Sequence, residues 1–200
     1  MDLLDFIFPP KCLECGKNGK YICLDCLSKV EKTSYISKNS YSLFRYHGVI
    51  RKAIVALKYK FAYKLSEELA IISSNELKKR KIFVKEFVLI PVPLHDKRKK
   101  WRGFNQSEVM GVKLANLMGF GYENDLVLKK INTDSQVGLK RIDRRKNLKG
   151  AFEINKSKLN KDKNYLIFDD VATTLSTIDE ITKVFRRSGV SSVYSLTVAR

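Results

Sequence analysis

The chain has 200 residues, 44 % hydrophobic and 10 % aromatic, enough for one α/β domain with a small satellite and too apolar for a disordered chain. Its 39 Lys and Arg against 21 Asp and Glu leave a formal charge of +18. That excess favours a polyanionic partner such as nucleic acid, a phosphorylated ligand or an anionic membrane surface, with a merely solvated basic face as the plainer alternative.

The first ten residues, MDLLDFIFPP, carry an apolar run but no basic stretch before it, and Asp2 and Asp5 interrupt it. They make a poor signal peptide, and no segment reaches the roughly 18 apolar residues that span a bilayer. The expected location is the cytoplasm, with peripheral contact at the inner membrane face left open by the charge. Thiols are reduced there, so cysteines point to metal before disulfides.

All four cysteines fall early, as C-x2-C-x7-C-x2-C: Cys12, Cys15, Cys23 and Cys26. Each C-x-x-C grips one ion from a tight turn, and two turns complete a tetrahedral S4 site. A structural zinc knuckle is therefore expected over residues 1–32. Two disulfides or a redox C-x-x-C are the weaker alternatives.

Residues 33–200 form the second expected domain. A polar connector leads to a short strand near Ser42 to Tyr46. Val49, Ala53, Ile54, Leu57 and Phe61 recur at helical spacing, as do Leu65, Leu69, Ile72 and Leu77 in a second helix that ends in Lys78-Lys79-Arg80-Lys81. Phe87 to Pro93 reads as a buried strand, followed by a polar loop to Phe104. Asn105 caps the next helix, with Val109, Val112, Leu114 and Leu117 as its apolar positions. Residues 126–130 read as a short strand and 131–149 as a polar, basic stretch. Tyr165 to Phe168 is a second buried strand, Thr177 to Ser188 a helix, and Val193 to Val198 a final strand. Strands alternating with helices predict a mostly parallel sheet covered on both faces.

Two adjacent carboxylates, Asp169 and Asp170, end the strand at Tyr165, and Ala172, Thr173, Thr174, Leu175, Ser176 and Thr177 lead into the helix. Ligands of open α/β sheets bind at the carboxyl ends of strands. A helix N-terminus offers backbone N–H groups to phosphate, the hydroxyls add donors, and paired carboxylates accept from vicinal ribose hydroxyls. The segment reads as a ribose 5-phosphate site; an Asp/Thr-rich helix cap is the alternative.

IFDDVATTLST resembles the phosphoribosyl-pyrophosphate loop of type I phosphoribosyltransferases. That resemblance implies Asp169 and Asp170 at the ribose hydroxyls, Thr173, Thr174 and Thr177 around the 5-phosphate, and Mg²⁺ bound with phosphoribosyl pyrophosphate. Leu175 departs from the pattern, because the family loop usually carries Gly there, which permits positive φ and close backbone approach.

Two basic segments precede the motif. Lys97, Arg98, Lys99, Lys100 and Arg102 surround Trp101, the sole tryptophan. An aromatic among cations suits stacking on an unpaired base beside phosphate contacts; equally, Trp101 could anchor the loop to the core. The second segment, Ser135 to Phe152, holds Lys140, Arg141, Arg144, Arg145, Lys146 and Lys149.

Taken in order, the knuckle, P-V-P-L-H, R-G-F-N-Q, Q-x-G-L, R-R-x-N and D-D-x-x-T-T resemble the bacterial ComF competence family over nearly the whole chain. The resemblance implies a type I phosphoribosyltransferase-like domain that helps single-stranded DNA through the cytoplasm during natural transformation. It also implies a DNA-translocating ATPase partner, ComFA or its equivalent. Arg102, Gly103, Phe104, Asn105 and Gln106 would belong to a loop closing over the cleft, opposed by Gln136 and Arg141. An active phosphoribosyltransferase with an unidentified acceptor, and a non-catalytic sensor of a phosphoribosyl metabolite, stay open beside it. No catalytic residue is assigned.

Overall fold

The computed structural model describes residues 9–33, 37, 39–57, 62–83, 86–131, 148–172 and 174–200. Among them a five-stranded sheet runs in the order β1-β7-β6-β2-β3, with every neighbouring pair parallel. The strands are β1 (Ser40–Phe44), β2 (Val88–Pro91), β3 (Gly121–Tyr122), β6 (Tyr165–Val171) and β7 (Val193–Ala199). A separate antiparallel pair, β4 (Val127–Lys129) and β5 (Phe152–Ile154), sets Lys129 opposite Phe152. Helices are α1 (Leu24–Ser28), α2 (Gly48–Ala56), α3 (Ala62–Arg80), α4 (Asp96–Arg102), α5 (Gln106–Met118) and α6 (Ser176–Arg187).

Parallel strands need long crossovers, and their helices cover both faces. Side chains alternate across a strand, so each strand feeds two cores. Leu89, Leu166, Phe168, Leu196 and Val198 join the core beneath α2, α3 and α5. Val88, Ile90, Tyr165, Ile167 and Val193 join the opposite core, with Ile178, Ile181 and Phe185 of α6 and residues of the β4–β5 pair. This is the expected mostly parallel sheet with helices on both faces.

The α5 face differs from the expectation. Val112 is exposed, and Val109 and Leu117 are half-buried. Its buried nonpolar residues are Met110, Gly111, Leu114 and Ala115. Small residues set the contact: a Cβ at Gly111 would lie 3.0 Å from Leu89 Cδ2 and 3.3 Å from Phe168 Cδ1. A hydropathy pattern weighs Val above Gly, but close helix–sheet approach selects Gly.

A second correction concerns the polar loop expected up to Phe104, because residues Asp96–Arg102 are helical as α4. His95 caps the start, its Nδ1 accepting from Lys97 N–H at 3.3 Å, and Gly103 ends the helix at φ 82°. A helix this short is unreadable from periodicity, since two turns hold too few apolar positions. Also unforeseen were β3 and β5, of two and three residues. The basic segment at residues 132–147, with Gln136, Lys140, Arg141, Arg144, Arg145 and Lys146, lies outside the described residues, as does Thr173. Among the described residues no helix is long and apolar enough to cross a membrane.

Candidate functional site

The carboxyl ends of β2 and β6 lie side by side, with Pro91 in register with Phe168. Asp169 and Asp170 follow at the end of β6, half-buried. Asp169 Oδ1 accepts from Ser107 Oγ at 2.8 Å and from Asp170 N–H at 3.0 Å, and Asp170 Oδ1 accepts from Val171 N–H at 2.8 Å. Burial first, and the Asp170 charge second, push Asp169 up to about 8, although Ser107 and the Asp170 N–H pull the other way. Two carboxylates this close do not both ionise freely. A ligand that donates hydroxyls to them, or a cation, relieves the repulsion.

Downstream, Leu175 is the N-cap residue of α6, at φ 55° and ψ −2°. A leucine here holds the left-handed backbone that glycine adopts without strain, at a cost of ~1–2 kcal/mol. Its side chain packs on the second core and offsets part of that. The turn is therefore present without the glycine. Thr174 Oγ1 and Ser176 Oγ lie 2.9 Å apart, and a small cleft is walled by Asp169, Ala172, Thr174, Leu175 and Thr177. Ser176 is buried, and Thr174 and Thr177 are half-buried.

Cations approach from the other side. Asn105 ties α5 to the end of β2: its Nδ2 donates to Val92 O at 3.0 Å, and its Oδ1 accepts from Ser107 N–H at 3.1 Å. It caps α5 as expected. Arg102, at the end of α4, donates through Nη1 to Gln106 Oε1 at 2.7 Å. Burial holds the Arg102 guanidinium below its usual range, the Asp170 carboxylate raises it, and the Arg98 charge lowers it. Lys129, on β4, is brought down to about 8 by burial and then by Arg98, against the pull of Asp169. Its ammonium sits 5.7 Å from the Phe152 ring centroid. Arg98 thus repels both Arg102 and Lys129, while Asp170 attracts the first and Asp169 the second, so cations and carboxylates share this end of the sheet.

Neither Lys129 nor Ser107 was marked in the sequence. Lys129 lies in a three-residue strand with no motif around it. Ser107 follows the cap residue, and only the register of α5 against β6 brings it to Asp169. The remaining basic residues of α4 point away: Lys97, Lys99 and Lys100 are exposed, and Lys99 pairs with Glu108 at 2.8 Å. Trp101 is 85 % exposed, so it does not anchor this segment to the core.

The four cysteines meet as expected. Their Sγ atoms all lie within 4.8 Å of one another, with Cys15 and Cys23 at 3.7 Å. A tetrahedron of ~2.3 Å metal–sulfur bonds has edges of about 3.8 Å, so the cluster can hold one metal ion. Burial raises the Cys12 thiol, but backbone N–H groups of Cys15, Cys23 and Glu14 outweigh it and bring it to about 6. Burial and hydrogen bonding to the other three push Cys26 up to about 12.

Glu68 of α3 clamps the loop between the two Cys pairs, accepting from Tyr21 N–H at 3.0 Å and Ile22 N–H at 2.8 Å. Cys12, Ile22 and Cys23 share the first core with α2 and α3. A groove of about 930 Å³ runs between this region and α3, walled by Ile22, Leu27, Ile71 and Ile72 and separate from the carboxylate cleft.

No protein-family model matches the chain. It is 37 % identical over 113 residues to competence protein F of Haemophilus influenzae, covering 56 % of this chain and 49 % of that protein. It is 33 % identical over 105 residues to DNA utilization protein YhgH of Salmonella typhi, covering 52 % and 45 %. To competence protein ComFC of Streptococcus pneumoniae it is 27 % identical over 191 residues, covering 96 % and 80 %. The chain thus matches about half the length of competence protein F and YhgH. Among solved structures, glutamine phosphoribosylpyrophosphate amidotransferase from B. subtilis superposes with a TM-score of 0.45 at 14 % identity, over 68 % of this chain and 27 % of that one. Hypoxanthine phosphoribosyltransferase from Staphylococcus aureus gives 0.37 at 16 %, over 66 % and 61 %. The chain is thus similar in sequence to competence protein F over about half of that protein, and to ComFC over most of its length.

Proposed function

We propose that this homologue of competence protein F and ComFC handles single-stranded DNA during natural transformation and binds phosphoribosyl pyrophosphate with Mg²⁺ in the cleft at Asp169 and Asp170. One observation carries the cleft reading: a crowded carboxylate pair, a hydroxyl-bearing turn at a helix N-terminus and a partly buried arginine converge at the carboxyl end of a parallel sheet. Ribose hydroxyls would donate to the two carboxylates. Thr173, Thr174, Thr177 and the first N–H groups of α6 would hold the 5-phosphate. The bound Mg²⁺ would screen the charge of the diphosphate.

The knuckle of residues 1–32 takes zinc in a closed, structural site, because four thiolates leave no open position for chemistry. Residues 33–200 are the phosphoribosyltransferase-like domain. The location is cytoplasmic, with a DNA-translocating ATPase of the ComFA kind as partner.

The DNA reading rests on α4. Lys97, Lys100 and Trp101 recur at the three- and four-residue spacing of one helix face, and all are exposed. A tryptophan held in water beside cations is a stacking platform rather than a core residue. Binding of labelled oligo-dT, read by fluorescence anisotropy, is expected to weaken steeply with salt. Loss of one stacked base removes ~1–3 kcal/mol, so Trp101→Ala should weaken binding by about 5- to 150-fold at fixed salt. Unaltered affinity in the variant, or retention of DNA independent of salt, would remove α4 from the DNA surface.

A further inference from the structure

Asp169 is held by a residue from another element. Ser107, in the first turn of α5 and 4 % exposed, donates through Oγ to Asp169 Oδ1 at 2.8 Å. Ser107 is itself fixed: its N–H donates to Asn105 Oδ1 at 3.1 Å, and Asn105 Nδ2 donates to Val92 O at 3.0 Å. The Asp170 N–H supplies a second donor to Asp169 Oδ1, at 3.0 Å. One carboxylate oxygen is thus committed to the protein, which leaves Oδ2 for the adjacent Asp170 carboxyl or for a ligand. Asp169 walls the small cleft with Thr174, Leu175 and Thr177, so a group entering there meets it.

The groups around Asp169 pull in two directions. Hydroxyl and N–H donors favour the ionised carboxylate, as does the positive end of the α5 dipole. On β6 itself, burial and the Asp170 carboxylate oppose a second charge. Lys129 of β4 attracts Asp169, Arg102 of α4 attracts Asp170, and Arg98 of α4 repels both cations. On β7 the residue in register is Thr197, uncharged and buried. The turn before α6 brings the hydroxyls of Thr174, Ser176 and Thr177. Ser107 is the side-chain donor in direct contact with Asp169, so removing its hydroxyl tips this balance toward the protonated acid. A protonated Asp169 offers a donor where a ribose hydroxyl needs an acceptor.

We propose that Ser107 is a positioning residue for the cleft: its hydroxyl orients Asp169 as an acceptor for a ligand hydroxyl, and so sets the pH above which the site takes a ribosyl ligand. This rests on the cleft reading above and adds its pH control. Ser107 touches the carboxylate and not the ligand. As the ligand binds, a proton leaves Asp169 for solvent.

The test is the pH profile of Ser107→Ala against wild type. The probe is phosphoribosyl pyrophosphate with Mg²⁺, titrated by calorimetry from pH 7 to 9.5. Its own phosphate titration is common to both proteins, so their ratio isolates the protein's group. Loss of a hydrogen bond to a charged group is expected to weaken binding about tenfold at neutral pH, equivalent to about one pH unit of titration. The gap should close to within about twofold at the alkaline end, where Asp169 is ionised in both. Melting curves without ligand give a second readout. The fall of stability with rising pH, which in wild type ends near the Asp169 value of about 8, should run about one unit further in the variant.

Equal weakening at every pH would make Ser107 a packing residue and overturn the proposal. Unchanged binding throughout, with melting curves parallel to wild type, would also overturn it while leaving the cleft reading intact. Absence of binding by wild type at any pH would instead remove the cleft reading, and the ligand's part in this proposal with it.

Discussion

Removing the metal from the Cys12, Cys15, Cys23 and Cys26 cluster is expected to unfold the N-terminal segment and to lower the melting temperature of the whole chain. Residues 9–30 have little else to hold them. Among them only Cys12, Ile22 and Cys23 are buried, and α1 is five residues long with none buried. A helix that short is marginal in water, and so small a segment cannot build its own core. Structural zinc sites contribute apparent free energies of ~10–16 kcal/mol in isolated peptides.

The damage should spread, because Ile22 sits in the core shared with α2 and α3, and Glu68 satisfies two knuckle N–H groups. Loss of even ~4 kcal/mol lowers the melting temperature by roughly 8–16 °C in a chain of this size. Cys15→Ser is the cleanest variant, since Cys15 is exposed and serine adds no buried hydroxyl. Metal content by mass spectrometry should fall from one zinc per chain to none as melting temperature drops. A metal-free chain melting at the wild-type temperature would remove the metal from the fold.

The second large effect is the opposite of ordinary mutational damage. Asp169→Asn should raise stability at pH 8 while abolishing ligand binding. Burial and Asp170 raise Asp169 to about 8, whereas an unfolded aspartate titrates near ~3.9. Between those values the folded chain holds more protons than the unfolded one, so this group's contribution to stability falls as pH rises through the window. Asparagine removes the buried charge. Its oxygen still accepts from Ser107 and the Asp170 N–H, and its amide donates to the Asp170 carboxylate. Melting curves from pH 5 to 9 should show the variant gaining on wild type as pH rises. Parallel curves would mean that Asp169 is not held as described.

Much of this was legible in the residues. The buried strands at 87–93 and 165–168, the Asn105 cap, the cysteine cluster and the carboxylates at a strand end rest on local signals: continuous apolar runs, a cap residue, a fixed spacing. What escaped detection depends on tertiary contact. Lys129 feels Asp169 only because the β4–β5 pair packs into the second core beside β6. Gly111 faces Leu89 because close approach outranks hydropathy. In α4 the length is too short for a period, though His95 and Gly103 bracket it. Leu175 is instructive in another way: its residue type argues against positive φ, yet the turn holds it there at 55°, with its side chain anchored in the core.

The most direct test of the cleft is a calorimetric titration of phosphoribosyl pyrophosphate with Mg²⁺ into wild type and Asp170→Ala. Saturable binding to wild type that vanishes in a folded variant is the predicted result. Equal binding to both would contradict the account, because it would place the ligand away from the carboxylate pair on which the reading stands.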